Sequence, residues 1–301
     1  MGYKGMKRGG YMLGYFKSPM NYMGNKYKLL KQLIPLCPND IDIFVDMFCG
    51  GLDVSLNIAA EKKVCNDLEE HLIDFYSHIQ NEKGEEVDKK ILELIKEYDL
   101  SLTNSVGYNA LRAEYNKYTR EDNWLLFYTL IAFSFSHQIR YNSKGEFNIP
   151  FGKDRSCYNS ALQSRLIEFV DKVDSNYYFY NRDFRTLDLS YLTDKSFVYC
   201  DPPYLITTAT YNENGGWTEK DEKDLLELLD KLHSNGVKFG ISNVMSQNGK
   251  VNEILKEWSE KYTVHHLNFH YSNSSYHKKD KSKNNTDEVF VCNYEIESKE
   301  C

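Results

Sequence analysis

Short apolar runs alternate along this chain with stretches of helical period, and that alternation leaves few folds open. The runs are rich in β-branched and aromatic residues: 43–48 (IFVDMF), 63–67 (KVCND), 197–201 (FVYCD), 237–242 (VKFGIS), 263–269 and 288–293 (EVFVCN). Helical spacing of apolar residues falls between them, at 26–34, 52–60, 218–235 and 249–259. Unbroken apolar strands are expected to be buried on both faces, with helices as crossovers, which predicts a largely parallel sheet. The middle is different. Residues 86–98, 107–118, 122–136 and 158–172 read as helices, interrupted by the polar, turn-rich string RYNSKGEFNIPFG at 140–152. A mainly helical insert carrying a hairpin is therefore expected between two parts of one α/β domain. The parts are placed at 1–74, 75–175 and 176–301.

With 301 residues, 41% hydrophobic and 27% charged, the chain can build a sizeable core and is not of disordered composition. No apolar stretch is long enough to span a bilayer, and residues 1–17 lack the apolar centre of a secretory signal, so a cytoplasmic protein is expected. The seven cysteines include no CxxC pair and lie mostly in apolar runs; they read as small buried hydrophobes in a reducing compartment, not as metal ligands. The net charge of −7 is unevenly spread. Lys4, Lys7, Arg8, Lys17, Lys26, Lys28 and Lys31 precede Asp40 with no acid among them, and Lys278, Lys279, Lys281 and Lys283 form a second cluster. Both clusters are compatible with phosphate contacts and equally with a solvated face.

Chemistry concentrates in Asp201-Pro202-Pro203-Tyr204, directly after an expected strand. Ligands of open α/β sheets bind beyond the carboxyl ends of strands. The two prolines stiffen the turn and remove two backbone donors, leaving carbonyls free to accept. A carboxylate and a carbonyl can take the two hydrogens of an aromatic amine such as adenine N6, holding its lone pair toward an electrophile. Tyr204 offers a ring on which an extruded base could stack. An ordinary strand-to-loop turn capped by Asp201 is the plainer alternative for these four residues taken alone.

Two further motifs accompany it. In Phe44-Val45-Asp46-Met47-Phe48-Cys49-Gly50-Gly51 a strand runs into glycines that permit close backbone approach to a ligand. Asp67, at the end of the next strand, suits two ribose hydroxyls. The pattern is not GxGxxG, which disfavours a nicotinamide enzyme. Lys26, in Tyr22-Met23-Gly24-Asn25-Lys26, stands at a helix start, where a cation opposes the helix dipole. It is expected to face an anion.

Together these motifs resemble the Dam-like (D12 class) DNA adenine-N6 methyltransferases, in the family's order and over residues 17–295. NYMGNKYKLL, with Tyr22, Gly24 and Lys26, resembles the first cofactor motif. FVDMFCGG, with Asp46, Phe48, Gly50 and Gly51, resembles the glycine motif under the methionine part of the cofactor. Asp67 matches the ribose acid, and Asp183 and Phe184 match the motif beside the cofactor adenine. RYNSKGEFNIPFG resembles the target-recognition signature, ISN at 241–243 and TDEVFVCNY at 286–294 the later strand motifs, and DPPY the catalytic motif, whose Asp201 is also expected to border the cofactor. Leu52 and Asp53 stand where the family often has a small residue and Ser, Tyr22 where Trp is frequent, and Lys144 where Arg is frequent.

The resemblance implies a Rossmann-like, mostly parallel seven-stranded methyltransferase sheet with one reversed strand near the C-terminus. It implies S-adenosylmethionine as cofactor and no metal. Double-stranded DNA would be the partner, gripped by the insert through Arg140, Tyr141, Asn142, Lys144 and Asn148. Methylation would follow flipping of an adenine, at a GATC-like site. A companion restriction endonuclease and a monomeric state go with this expectation. The alternatives are an RNA adenine methyltransferase and a DNA-binding protein that holds the cofactor without catalysis.

Overall fold

The computed structural model describes residues 14–206, 216–267 and 286–296. Eight strands form one sheet among these residues: β1 (Ile43–Asp46), β2 (Lys62–Asn66), β3 (Tyr177–Tyr180), β4 (Ser196–Cys200), β5 (Lys238–Gln247), β6 (Lys250–Val251), β7 (Thr263–Leu267) and β8 (Thr286–Cys292). Seven lie on the path β3-β2-β1-β4-β5-β8-β7, and the two-residue β6 pairs with β5. The pairings from β3 through β5 are parallel, while β8 runs antiparallel to both β5 and β7. This is the mostly parallel sheet with a reversed strand near the C-terminus that the resemblance implied.

Alternation of side chains sends the strands' residues into two separate layers. Phe44, Phe197 and Tyr199 pack with Leu29, Leu30 and Leu33. Their neighbours Val45, Val198 and Cys200 pack on the opposite face with Leu225, Leu229 and Trp258. The first layer comes from α1 (Leu30–Leu33), flanked by 3-10 turns at Tyr27–Leu29 and Ile34–Leu36. In the second layer are the long helix between β4 and β5 and the short helix before β7. A third cluster is helical: α2 (Glu70–Ile79), α3 (Gly84–Glu97), α4 (Ser105–Tyr115), α5 (Asn123–Phe133) and α6 (Ser160–Lys172). Residues Trp124 through Phe133 of α5 are all buried, so it is the central post, against α2, α3 and α4. The layers are completed by α7 (Glu219–Ser234), which starts on a Thr218–Asp221 capping box, and α8 (Glu253–Ser259). Cys37, Cys49, Cys65, Cys200 and Cys292 are buried, as their apolar surroundings suggested.

Several elements depart from the sequence reading. Residues 52–60, expected as a helix, form successive turns. Leu52 sits at φ +64°, in the left-handed region, and interrupts helix growth from the glycine turn. Asp53 and Asn57 instead bind the incoming N-terminal segment, taking the amides of Ser18 (3.2 Å) and Phe16 (2.7 Å). The helix expected at 249–259 begins at Glu253, because Asn248 and Gly249 (φ +52° and +82°) turn the chain into the β5–β6 hairpin. The helix expected at 122–136 stops at Phe133, followed by a 3-10 turn, Phe135–His137. Strand β3 and helix α2 were not anticipated. The expected domain boundary at 74/75 falls inside α2, whereas that at 175/176 lies just before β3. Residues 268–269 of one expected strand, Lys4, Lys7, Arg8 and the lysines at 278–283 lie outside the described residues.

The chain passes from β1 outward to β2 and β3, then returns to β4 on the other side of β1. The carboxyl ends of β1 and β4 therefore flank the point where strand order reverses, the place where doubly wound sheets bind ligands. Asp46 ends β1, and Asp201 follows the last residue of β4.

Candidate active site

Four side chains from three distant segments meet beyond β4. Lys26 is the N-cap residue of the first 3-10 turn, and its Nζ lies 2.8 Å from Asp201 Oδ2. The same ammonium donates to the Tyr204 hydroxyl at 2.6 Å. That hydroxyl stands 3.0 Å from Asp201 Oδ1 and 3.1 Å from Glu288 Oε1. Glu288, on β8, is also 3.5 Å from Lys26 Nζ. The side chains of Lys26 and Glu288 are 7% and 6% exposed, against 17% for Asp201, so of these three charged groups Asp201 has most surface open to an incoming group.

Burial opposes the charge on Lys26, but Asp201 and Glu288 outweigh it and hold the ammonium protonated. Burial pushes the Asp201 carboxyl up from its ordinary value, and Lys26 pulls it back. Tyr204 is pushed well up, first by burial and then by the two carboxylates, so its hydroxyl keeps its proton. The anion expected opposite Lys26 is thus Asp201, with Glu288 as a second. Pro202 is buried beside them and Pro203 half-buried, in the turn that aims Asp201 and Tyr204.

A second set of residues lines the end of β1. Gly50 lies at φ +42°, and a Cβ there would come within 2.8 Å of the Tyr22 ring. Only glycine lets the turn and the ring share this space without movement. The Gly50 amide donates to Asp67 Oδ2 at 2.8 Å, and the Glu69 amide to Asp67 Oδ1 at 3.0 Å. The buried Tyr76 hydroxyl donates to the Gly50 carbonyl at 2.8 Å. Gly51 follows, packed on the Met20 carbonyl, and Gly24 takes φ +80° in the turn before Lys26. Asp46 accepts from the Ser55 hydroxyl at 2.5 Å through Oδ2, while its Oδ1 is buried with no partner among the described residues. Burial pushes the Asp46 carboxyl up to about 7, against the Ser55 hydrogen bond.

Beside this turn is an aromatic cluster. The Phe48 ring lies 5.6 Å from Phe184 and 5.7 Å from Trp217, centroid to centroid. Asp183 caps the 3-10 turn Phe184–Thr186 and is 3.0 Å from the Arg185 guanidinium, which also pairs with Asp221 and Asp224. Trp217 was not anticipated. Its indole donates to Glu222 Oε2 at 2.6 Å, and Glu222 Oε1 accepts from Asn243 and Asn252. Glu288 was not anticipated either; the available signal was a charged residue leading the apolar run VFVC.

The hairpin residues lie in the helical part. Arg140 and Asn148 pair across the hairpin, Nε to Oδ1 at 2.9 Å. Asn142 Oδ1 accepts from the amides of Lys144 (2.9 Å) and Glu146 (3.0 Å), which shapes the tip. Tyr141, expected to reach outward, is turned in: its ring stacks on His71 at 4.4 Å and its hydroxyl meets that of Tyr115 at 3.0 Å. Arg140 and Lys144 are exposed.

Comparison with known proteins places the chain in a family. The family model for D12 class N6 adenine-specific DNA methyltransferases matches residues 22–285. Type II methyltransferase M.FokI of Planomicrobium okeanokoites is 42% identical over 285 residues, 93% of this chain. Modification methylase StsI of Streptococcus sanguinis is 38% identical over 291 residues, 94% of this chain. The chain spans less than half the length of these two relatives, 43% and 44%. DNA adenine methylase of Escherichia coli (strain K12) is 27% identical over 254 residues, covering 82% of this chain and 85% of that protein. With the family model matched along nearly its whole length, the chain belongs to the D12 class of N6 adenine-specific DNA methyltransferases.

Proposed function

We propose that this chain methylates the exocyclic N6 of adenine in double-stranded DNA, using S-adenosylmethionine and acting on a base turned out of the helix. The observation that carries this is the placement of Asp201-Pro202-Pro203-Tyr204 at the switch point, beside the glycine turn that ends β1. The residues around that turn fit the cofactor. Asp46 has a buried oxygen in need of a donor, and Gly50 and Gly51 admit close backbone approach. Asp67 can exchange its amide bonds for ribose hydroxyls, and Phe48, beside Phe184 and Asp183, can pack against an adenine ring. Tyr22, Gly24 and Lys26 close the site from the N-terminal side. When bound, S-adenosylmethionine supplies an activated methyl group.

The chain's own groups position the amine. Asp201 and the Pro202 carbonyl accept the two N6 hydrogens, and Tyr204 presents its ring to the base. The lone pair is thereby held away from the purine plane, and orientation and fixed charge lower the barrier. Residues from about 75 to 175 read the target. Arg140 and Lys144 touch DNA directly, while Asn148, Asn142 and Tyr141 hold the hairpin that presents them. A GATC-like site, a companion restriction endonuclease and a monomer acting in the cytoplasm complete this reading.

Incubation with labelled S-adenosylmethionine and unmethylated duplex DNA, RNA or protein, followed by digestion, tests it. Label in N6-methyl-2′-deoxyadenosine from the DNA is the expected result. Label confined to RNA or protein would overturn it.

A further inference from the structure

Glu288 is built into the site although nothing in the DPPY chemistry calls for it. On β8 it lies in register with Val244 of β5 and Leu267 of β7 and is 5% exposed. A carboxylate removed from water is costly unless charge and hydrogen bonds compensate it. Lys26 already holds one carboxylate at 2.8 Å in Asp201, so a single cation serves two anions, one half-buried and one buried. A purely structural ion pair needs one anion. The Tyr204 hydroxyl likewise has one proton and two carboxylates in reach, at 3.0 and 3.1 Å.

In this arrangement each Asp201 oxygen has a donor, Lys26 on Oδ2 and Tyr204 on Oδ1. A carboxylate oxygen can accept more than one hydrogen bond, so an amino group presented to Asp201 would share an oxygen whose charge Lys26 or Tyr204 already draws on. We propose that Glu288 is a positioning residue for methyl transfer: it is the alternate acceptor to which the Tyr204 hydroxyl turns, so that Asp201 can offer an oxygen to the amine. Rotation of one hydroxyl hydrogen makes the exchange, and the Tyr204 ring stays where the base stacks. This rests on the adenine reading above.

The test is single-turnover methylation of duplex DNA by wild type, Glu288→Ala, Glu288→Gln, Tyr204→Phe and the double variants, with cofactor affinity and thermal stability measured in parallel. Glu288→Ala is expected to slow transfer by about tenfold or more, a coupling of ordinary size for neighbouring groups, with cofactor affinity changed less than about twofold. Glu288→Gln keeps an acceptor for the hydroxyl and is expected to recover part of the rate. In the Tyr204→Phe background, where there is no hydroxyl to turn, either substitution at Glu288 is expected to lose most of its effect. An unchanged rate in Glu288→Ala would overturn the proposal. So would effects that simply multiply in the double variants, or a rate loss that tracks cofactor affinity or stability. If Glu288→Ala does not fold, Glu288→Gln with Tyr204→Phe makes the same comparison. Failure of the wild type to methylate adenine in DNA would instead remove the functional reading itself.

Discussion

Asp46 differs from a surface aspartate in its proton balance. Its carboxyl rises from an ordinary 3.8 to about 7, chiefly through burial, with Ser55 opposing. An acid whose folded value is raised binds more protons in the folded chain, so its contribution to stability falls as pH rises from about 4 to about 7. Asp46→Asn is therefore expected to stabilise the free protein at pH 8 by roughly 1–3 kcal/mol. The gain should narrow steadily toward pH 4 in denaturant titrations; a gain that widens with acid would contradict this assignment. Lys26 behaves oppositely. Lys26→Met leaves two buried carboxylates without their cation, an expected loss of roughly 3 kcal/mol. The deficit should be larger at pH 8 than at pH 5, where the carboxylates can take up protons, and the same titrations measure it. Asp201, Tyr204 and Lys26 were legible because each sits in a short motif with its own chemistry. Trp217 was not, because what makes it part of the site is proximity to residues far away in the chain; Glu288 stood inside the string TDEVFVCNY, but nothing in that string shows that its side chain meets Lys26.

Among the elements, the turn after β1 is the most demanding. Gly50→Ala would place a Cβ 2.8 Å from the Tyr22 ring in a left-handed backbone. It is expected to cost roughly 1–3 kcal/mol of stability and to weaken cofactor binding, measurable by equilibrium dialysis. Leu52, two residues on, accounts for the mistaken helix at 52–60: apolar spacing cannot reveal a positive φ. Strand β3, Tyr177–Tyr180, escaped notice although it is four aromatic residues long, because it is short, lies at the sheet edge and has mixed exposure. By contrast, β1 and β4 were plain, since burial on both faces demands continuous apolar sequence. The hairpin was legible as a turn but not in its side-chain directions. The inward Tyr141 depends on His71 and Tyr115, from two helices elsewhere. Lys144→Ala at the exposed tip is expected to weaken DNA binding and to lower the slope of log K against log salt by roughly 1 unit, provided Lys144 meets a phosphate. An unchanged slope with altered site preference would place Lys144 on a base edge.

For the molecule as a whole, strand order does what no single motif can. Because β4 returns beside β1, the Asp201 turn and the Gly50 turn become neighbours despite their separation in sequence. The helical cluster enters between β2 and β3 and meets the Gly50 turn through Tyr76, so the segment expected to read DNA is tied to the cofactor side of the site. The chain matches 43% and 44% of the length of M.FokI and StsI, so its residues stand for under half of each of those proteins. Asp201 is proposed to act chiefly in transfer, beyond its expected part in bordering the cofactor. The most direct measurement compares Asp201→Ala with wild type for S-adenosylmethionine affinity and for single-turnover formation of N6-methyladenine in the same duplex. The expected result is affinity within about tenfold of wild type and transfer slowed by roughly 1,000-fold or more. Transfer by Asp201→Ala at a rate near that of wild type would contradict the claim.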